Sequence, residues 1–164
     1  MKIIPSEKIE FNTALSITEV DNELRKNIQP KRGIRIGFSK KENDKVFEGN
    51  HSNRKFEVQR VIYHRNSFLP QIKGTYQSSA NGTKVIAELK LHGFVIVFMT
   101  FWLSGVSLAL IATIFGIITQ GTNPIAVIIP IIMLAFGFGL GHFGFNMEKE
   151  KSISELKKIF KKNE

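Results

Sequence analysis

From Gly93-Phe94-Val95-Ile96-Val97-Phe98 to Gly141-His142-Phe143-Gly144-Phe145 the chain carries no Lys, Arg, Asp or Glu. The stretch holds two apolar runs joined by Thr119-Gln120-Gly121-Thr122-Asn123. A run of about 20 uncharged, mostly apolar residues spans a hydrocarbon core roughly 30 Å thick, and lipid forces such a segment to be helical because no water satisfies its backbone. The stretch therefore reads as a transmembrane helical hairpin over residues 93–145, with spans near 98–118 and 125–145. Trp102 favours the interface, and Phe94 to Phe98 has strand-forming composition, so the first helix is expected to begin late, after an extension of the last strand. Pro124 suits a first helical turn, whereas Pro130 is expected to kink the second span.

Working outward, the charges have a sense. Of the 23 Lys and Arg, 17 precede residue 93 and six follow residue 145, while the segment between the runs has none. The positive-inside rule then places both termini in the cytoplasm and the chain in the cell membrane. The first residues, Met1 to Val20, are broken by Pro5, Glu7, Lys8 and Glu10 and lack the apolar centre of a secretory signal, so the first span is expected to serve as the targeting signal. There is no cysteine, which excludes disulfides, thiol catalysis and cysteine metal sites.

Residues 1–92 read as a small cytoplasmic α+β domain. Lys8-Ile9-Glu10-Phe11 alternates as a strand, and Ser16-Ile17-Thr18-Glu19 is a capping-box pattern ahead of Ile17, Val20, Leu24 and Ile28 at helical spacing, with Pro30 closing the segment. Ile34 to Phe38 and Val46 to Gly49 read as strands flanking a charged loop. Lys55 to Tyr63, Gln71 to Gln77 and Thr83 to Leu91 read as antiparallel strands with one dry face, the last two joined at Asn81-Gly82. Residues 146–164 are expected to form a polar linker, Asn146 to Glu150, and then a helix capped by Ser152 and Glu155, its Ile153, Leu156, Ile159 and Phe160 opposite Lys157, Lys158, Lys161 and Lys162. That helix fits equally against the sheet or on an anionic leaflet. The fold class is thus an α+β membrane protein: a small antiparallel sheet, N- and C-terminal amphipathic helices and a two-helix transmembrane hairpin.

The candidate functional residues fall in two groups. Arg60 lies on the side of Phe56 and Val58 if alternation holds, and an inward guanidinium wants an anion; with Tyr63, His64 and Arg65 it forms a candidate ligand-binding set. Gly137 and Gly141 form a GxxxG pair, and Gly105 and Ala109 offer small residues at the same spacing, so these four are candidate helix-packing positions, within one chain or between two. No catalytic motif, metal-ligand spacing or cofactor signature is present, and the basic stretches lack the aromatic platform or recognition helix of a nucleic-acid binder. The expected partners are the lipid bilayer and either a second copy or another membrane protein.

The order strand, helix, several antiparallel strands and terminal helix resembles the helix-grip arrangement of START-like domains, with the hairpin inserted before the terminal helix. Arg65-Asn66-Ser67-Phe68-Leu69-Pro70-Gln71-Ile72-Lys73-Gly74 followed by the hairpin is similar to small, uncharacterised two-span bacterial membrane proteins. The first resemblance implies a hydrophobic ligand under the N-terminal helix; the second implies no activity. The expected function is a membrane-anchored interaction or sensing module, the alternative an accessory subunit assembled through the glycine-rich second span.

Overall fold

The computed structural model describes residues 4–31, 45–62 and 66–161. Among these, the chain is a mixed α+β structure with a six-stranded sheet and three α-helices, two of them long and apolar enough to cross a membrane. In chain order they are β1 (Ser6–Thr13), α1 (Ile17–Asn27), β2 (Ile28–Gln29), β3 (Phe47–Ser52), β4 (Lys55–Arg60), β5 (Gln71–Ser79), β6 (Gly82–Lys90), α2 (Gly93–Gln120) and α3 (Ile128–Ile159). The sheet order is β1-β6-β5-β4-β3-β2, antiparallel except for the short parallel pair β2 and β3. The expected strand at Ile34 to Phe38 lies outside the described residues.

Alternation decides which face is dry. Phe56 and Val58 of β4, Ile72 and Tyr76 of β5, and Val85, Ala87 and Leu89 of β6 all point to one side and are buried. Lys55, Glu57, Lys73, Lys84, Glu88 and Lys90 take the other side, which stays open. Helix α1 lays Val20 and Leu24 on the dry face, both fully buried. Its start is the expected capping box: the Ser16 N–H donates to Glu19 Oε2 at 2.7 Å, and the Glu19 N–H donates to Ser16 Oγ at 3.3 Å.

Two tight hairpins turn the sheet. Ser52 pairs with Lys55 around Asn53 and Arg54, both at positive φ (50° and 60°), the backbone that a two-residue turn matched to strand twist needs. Ser79 pairs with Gly82 around Ala80 and Asn81. Here the expected Asn-Gly turn shifts by one residue, and Gly82 becomes the first residue of β6 at φ 123°.

Three expectations about the helices are corrected. Helix α2 begins at Gly93, without the extended strand or late start, because His92 caps it: its Nδ1 accepts from the Phe94 N–H at 3.2 Å. Pro130 lies in the first turn of α3, directly after a 3-10 turn over Pro124–Val127, so the change of helix type falls at the start of the second apolar helix and not inside it. Most consequentially, Asn146 to Glu150 is no linker. Helix α3 runs unbroken for 32 residues, about 48 Å, through Ser152, which is wholly buried rather than a cap. Polar is not the same as flexible: Met147, Glu148, Lys149 and Lys151 favour helix, and no Gly or Pro interrupts them. The C-terminal half of α3 covers the dry face beside α1, with Phe145, Leu156 and Phe160 in the core. Thr13 Oγ1 fastens its end by donating to Phe160 O at 2.7 Å.

Candidate functional site

Where α3 leaves the apolar hairpin and enters the sheet, several elements converge on a few side chains. Strand β4 ends in Arg60, which alternation turns inward after Phe56 and Val58. Opposite stands Glu148 of α3, its side chain only 1 % exposed against 19 % for Arg60, and Arg60 Nη2 donates to Glu148 Oε2. The anion that an inward arginine wants is thus provided within the chain, by a residue read from sequence as part of a linker. Arg60 Nε and Ser152 Oγ are buried with no hydrogen-bond partner among the described residues.

The segment from Asn66 to Pro70 clasps the same helix. Asn66 Nδ2 donates to the Gly144 carbonyl at 3.2 Å, while Asn66 Oδ1 accepts from the Phe68 N–H at 2.9 Å. Phe68 lies directly on Gly144, where an added Cβ would come within 2.9 Å of its ring and Cβ. This clasp, the buried ion pair and the short Leu91-His92 connection join the sheet to both apolar helices. Tyr63, His64 and Arg65 lie outside the described residues.

Between the apolar helices, Gly137 and Gly141 serve close approach within one chain. A Cβ on Gly137 would stand 3.2 Å from the Trp102 ring, and one on Gly141 would stand 3.3 Å from Met99 Cε. Gly105 and Ala109 do not meet them; both are exposed on α2, and Gly105 has nothing within contact of an added Cβ. Small residues at matching spacing in two helices did not specify matching faces: the face of α2 turned to α3 holds Met99, Trp102, Leu103 and Val106.

At the far end of the sheet, a second polar cluster centres on Asp21 of α1. Tyr76 Oη donates to Asp21 Oδ1 at 2.9 Å, Arg25 Nη2 lies 3.2 Å from Oδ2, and His51 Nε2 is 3.7 Å from Oδ1. Sequence reading did not find this set, whose members come from α1, β3 and β5. Burial, then the hydrogen bond to and charge of Asp21, push the Tyr76 phenol from 10.0 up to about 12. A phenol held neutral is a donor, so Tyr76 ties α1 to the sheet through Asp21. Because the folded-state value is raised, the stabilisation is complete below pH 10 and is lost as pH rises towards 12. The free energy of urea unfolding should therefore fall between pH 10 and 12 by more in the wild type than in Tyr76→Phe, by about 1 kcal/mol once solvent screening of the phenol is allowed for. Parallel curves for the two proteins would contradict the assignment.

The open face of the sheet bears a shallow groove of about 520 Å³, with Lys8, Lys55, Lys73, Glu57 and Glu88 among its lining. Register sets Lys8, Glu88, Lys73 and Glu57 side by side across four strands. Lys73 pairs with Glu57 at 3.1 Å, and Lys90 takes Glu88 at 2.9 Å. Charges so interleaved make a solvated face that is largely self-neutralised from β4 to β6, with Lys8 of β1 outside these pairs. Among the described residues no group of three or more His, Cys, Asp or Glu is placed to hold a metal ion. No known protein family, curated protein or solved structure matches this chain.

Proposed function

We propose that this protein is a membrane-anchored cytoplasmic interaction or sensing module, in which a polar-faced sheet is held at a fixed attitude to the bilayer by the two spans. The observation that carries this reading is the continuity of α3. Its first half exposes Ile128, Ile129, Ile131, Ile132, Phe136 and Phe143, while Phe145, Glu148, Ser152 and Leu156 of its second half, at spacings of three and four, are buried in the sheet domain. An apolar surface of this extent, on two neighbouring helices, is what hydrocarbon accommodates and water does not. The unbroken helix, the ion pair and the Phe68 clasp stiffen the joint, so a change of tilt in the spans moves the sheet with it.

The space beneath α1 is filled by Val20, Leu24, Phe47 and Ile72, all fully buried, which favours surface interaction over an enclosed hydrophobic ligand. Assembly through Gly137 and Gly141 has less support, since Trp102 and Met99 of the same chain already occupy that ridge.

The absence of cysteine makes the test direct. Ser78→Cys, on the sheet, and Gln120→Cys, at the end of α2, are labelled with a membrane-impermeant maleimide; the second should react from outside intact cells and the first only after lysis. With spin labels on both, the distance distribution in bilayers should be single and narrow. Labelling of both from one side, or a broad distribution, would overturn the anchored rigid module.

A further inference from the structure

The two edges of the sheet are unequal. At one edge β2 contributes only Ile28 and Gln29, too little to template another strand. At the other edge β1 is eight residues long and pairs with β6 in unbroken register from Ser6 with Lys90 to Thr13 with Thr83, with no bulge and no proline. Among the described residues no strand lies on its outer side. From Glu7 to Thr13 such a regular edge leaves alternate N–H and C=O groups for pairing; of the usual blunting devices β1 carries charged side chains, Glu7, Lys8 and Glu10, but neither shortness, a bulge nor a proline.

Helix α3 runs beside this edge. Lys149 Nζ is 3.6 Å from Glu7, Lys157 Nζ sits 5.9 Å from the centre of the Phe11 ring, and Phe160 meets Phe11 at 6.0 Å. Since residues four apart share a helix face, Ile153 lies between Lys149 and Lys157 and therefore alongside Ile9. Ile9, Phe11 and Ile153 are all only half-buried. The lane along β1 is thus apolar in its middle and cationic around it: among the described residues Lys157 on the inner side and Lys8 on the open side have no ion-pair partner, while Glu7 and Glu10 are paired with Lys149 and Lys84.

We propose that the outer edge of β1 is a strand-addition site for an extended acidic segment of another protein, placing an apolar side chain against Ile9 and Ile153 and carboxylates towards Lys8 and Lys157. Backbone bonding supplies the affinity, and the alternating pockets supply the selection. A second copy of this chain does not suit the edge. Antiparallel pairing of β1 with itself needs a two-fold axis normal to the sheet, which inverts the partner and sends its apolar helices the opposite way. Parallel pairing about a two-fold along the strands sets N–H against N–H. The antiparallel part of this exclusion rests on the membrane reading above; the strand-addition site itself does not.

The test uses the full chain in detergent with a blocked synthetic peptide, Thr-Glu-Val-Thr-Glu-Thr-Val, the same peptide reversed to cover both strand directions, and a control in which both Glu are replaced by Lys. At about 1 mM, one acidic peptide should slow hydrogen exchange at alternate β1 amides by roughly tenfold, the Lys control should not, and Lys8→Glu should weaken the effect. N-methylation of one alternate set of peptide amides should abolish the protection and methylation of the other set should spare it. Absence of protection with both acidic peptides, or equal protection by the Lys control, overturns the site. Protection of β1 that grows with protein concentration alone overturns the choice of a foreign partner. Because the readout is local to β1, it stands or falls independently of the maleimide test of membrane topology.

Discussion

Arg60→Met is expected to destabilise the fold by about 3 kcal/mol, because it takes the guanidinium away from the buried Glu148 carboxylate. The side chain of Glu148 is 1 % exposed, so water cannot readily replace the guanidinium. Glu148→Leu should cost less, since it leaves Arg60, the more exposed partner, to reach solvent. The double variant Arg60→Met/Glu148→Leu should recover most of the loss, landing within about 1 kcal/mol of the wild type, as apolar replacement of a buried pair commonly does. Hydrogen-exchange protection of β5 and β6 amides in detergent measures all three. A double variant as unstable as Arg60→Met would show that the pair holds the joint by more than charge compensation. A single Arg60→Met with wild-type protection would mean that the pair does not stabilise the joint at all. Should the double variant fold well but give a broad distance distribution between labels at 78 and 120, the ion pair would be assigned to stiffness rather than stability.

Gly82→Val should be of similar severity for a different reason. Gly82 has φ 123°, where side-chain-bearing residues are strained, and a Cβ there would stand 2.2 Å from the carbonyl oxygen of Thr13. Relief requires moving the backbone of β1 at its join to α1, in the neighbourhood where Thr83 Oγ1 donates to Leu15 O at 2.7 Å and Thr13 Oγ1 holds the end of α3. A loss of about 3 kcal/mol or more is expected, with early exchange of the β1 amides. Ala80→Val, one turn residue away and exposed, is the control and should change stability by less than about 0.5 kcal/mol. A Gly82→Val protein as stable as this control would show that β1 is not held by the turn.

Much of the fold was legible because local rules and tertiary demands agree there. The capping box at Ser16 and Glu19, the alternation of Val85, Ala87 and Leu89, and the tight turn before β6 each follow from a few neighbouring residues. The expected inward turn of Arg60 is also what the structure has, since period-two alternation needs only Phe56 and Val58 as guides. The hairpin at Asn53 and Arg54 was missed because an arginine at positive φ carries no turn signal of its own; pairing of Ser52 with Lys55 imposes it.

What composition and periodicity determined alone is the inventory: two apolar runs long enough to be spanning helices, an amphipathic first helix, alternating strands, and a charge bias that separates the hairpin from the rest of the chain. These are one-dimensional properties, written in the spacing of side chains along a single element. Tertiary structure alone decided which elements become one and which faces meet. Asn146 to Glu150 reads as a break because its residues are polar, yet it continues α3, and the burial that this continuity imposes on Glu148 is met by Arg60, distant in sequence. Likewise Gly137 and Gly141 are recognisable as an interface, but that Trp102 and Met99 fill it, leaving Gly105 and Ala109 outside, depends on how α2 rotates as it leaves β6. The rotation of one helix about another is set by packing across the interface, and no spacing within either helix encodes it.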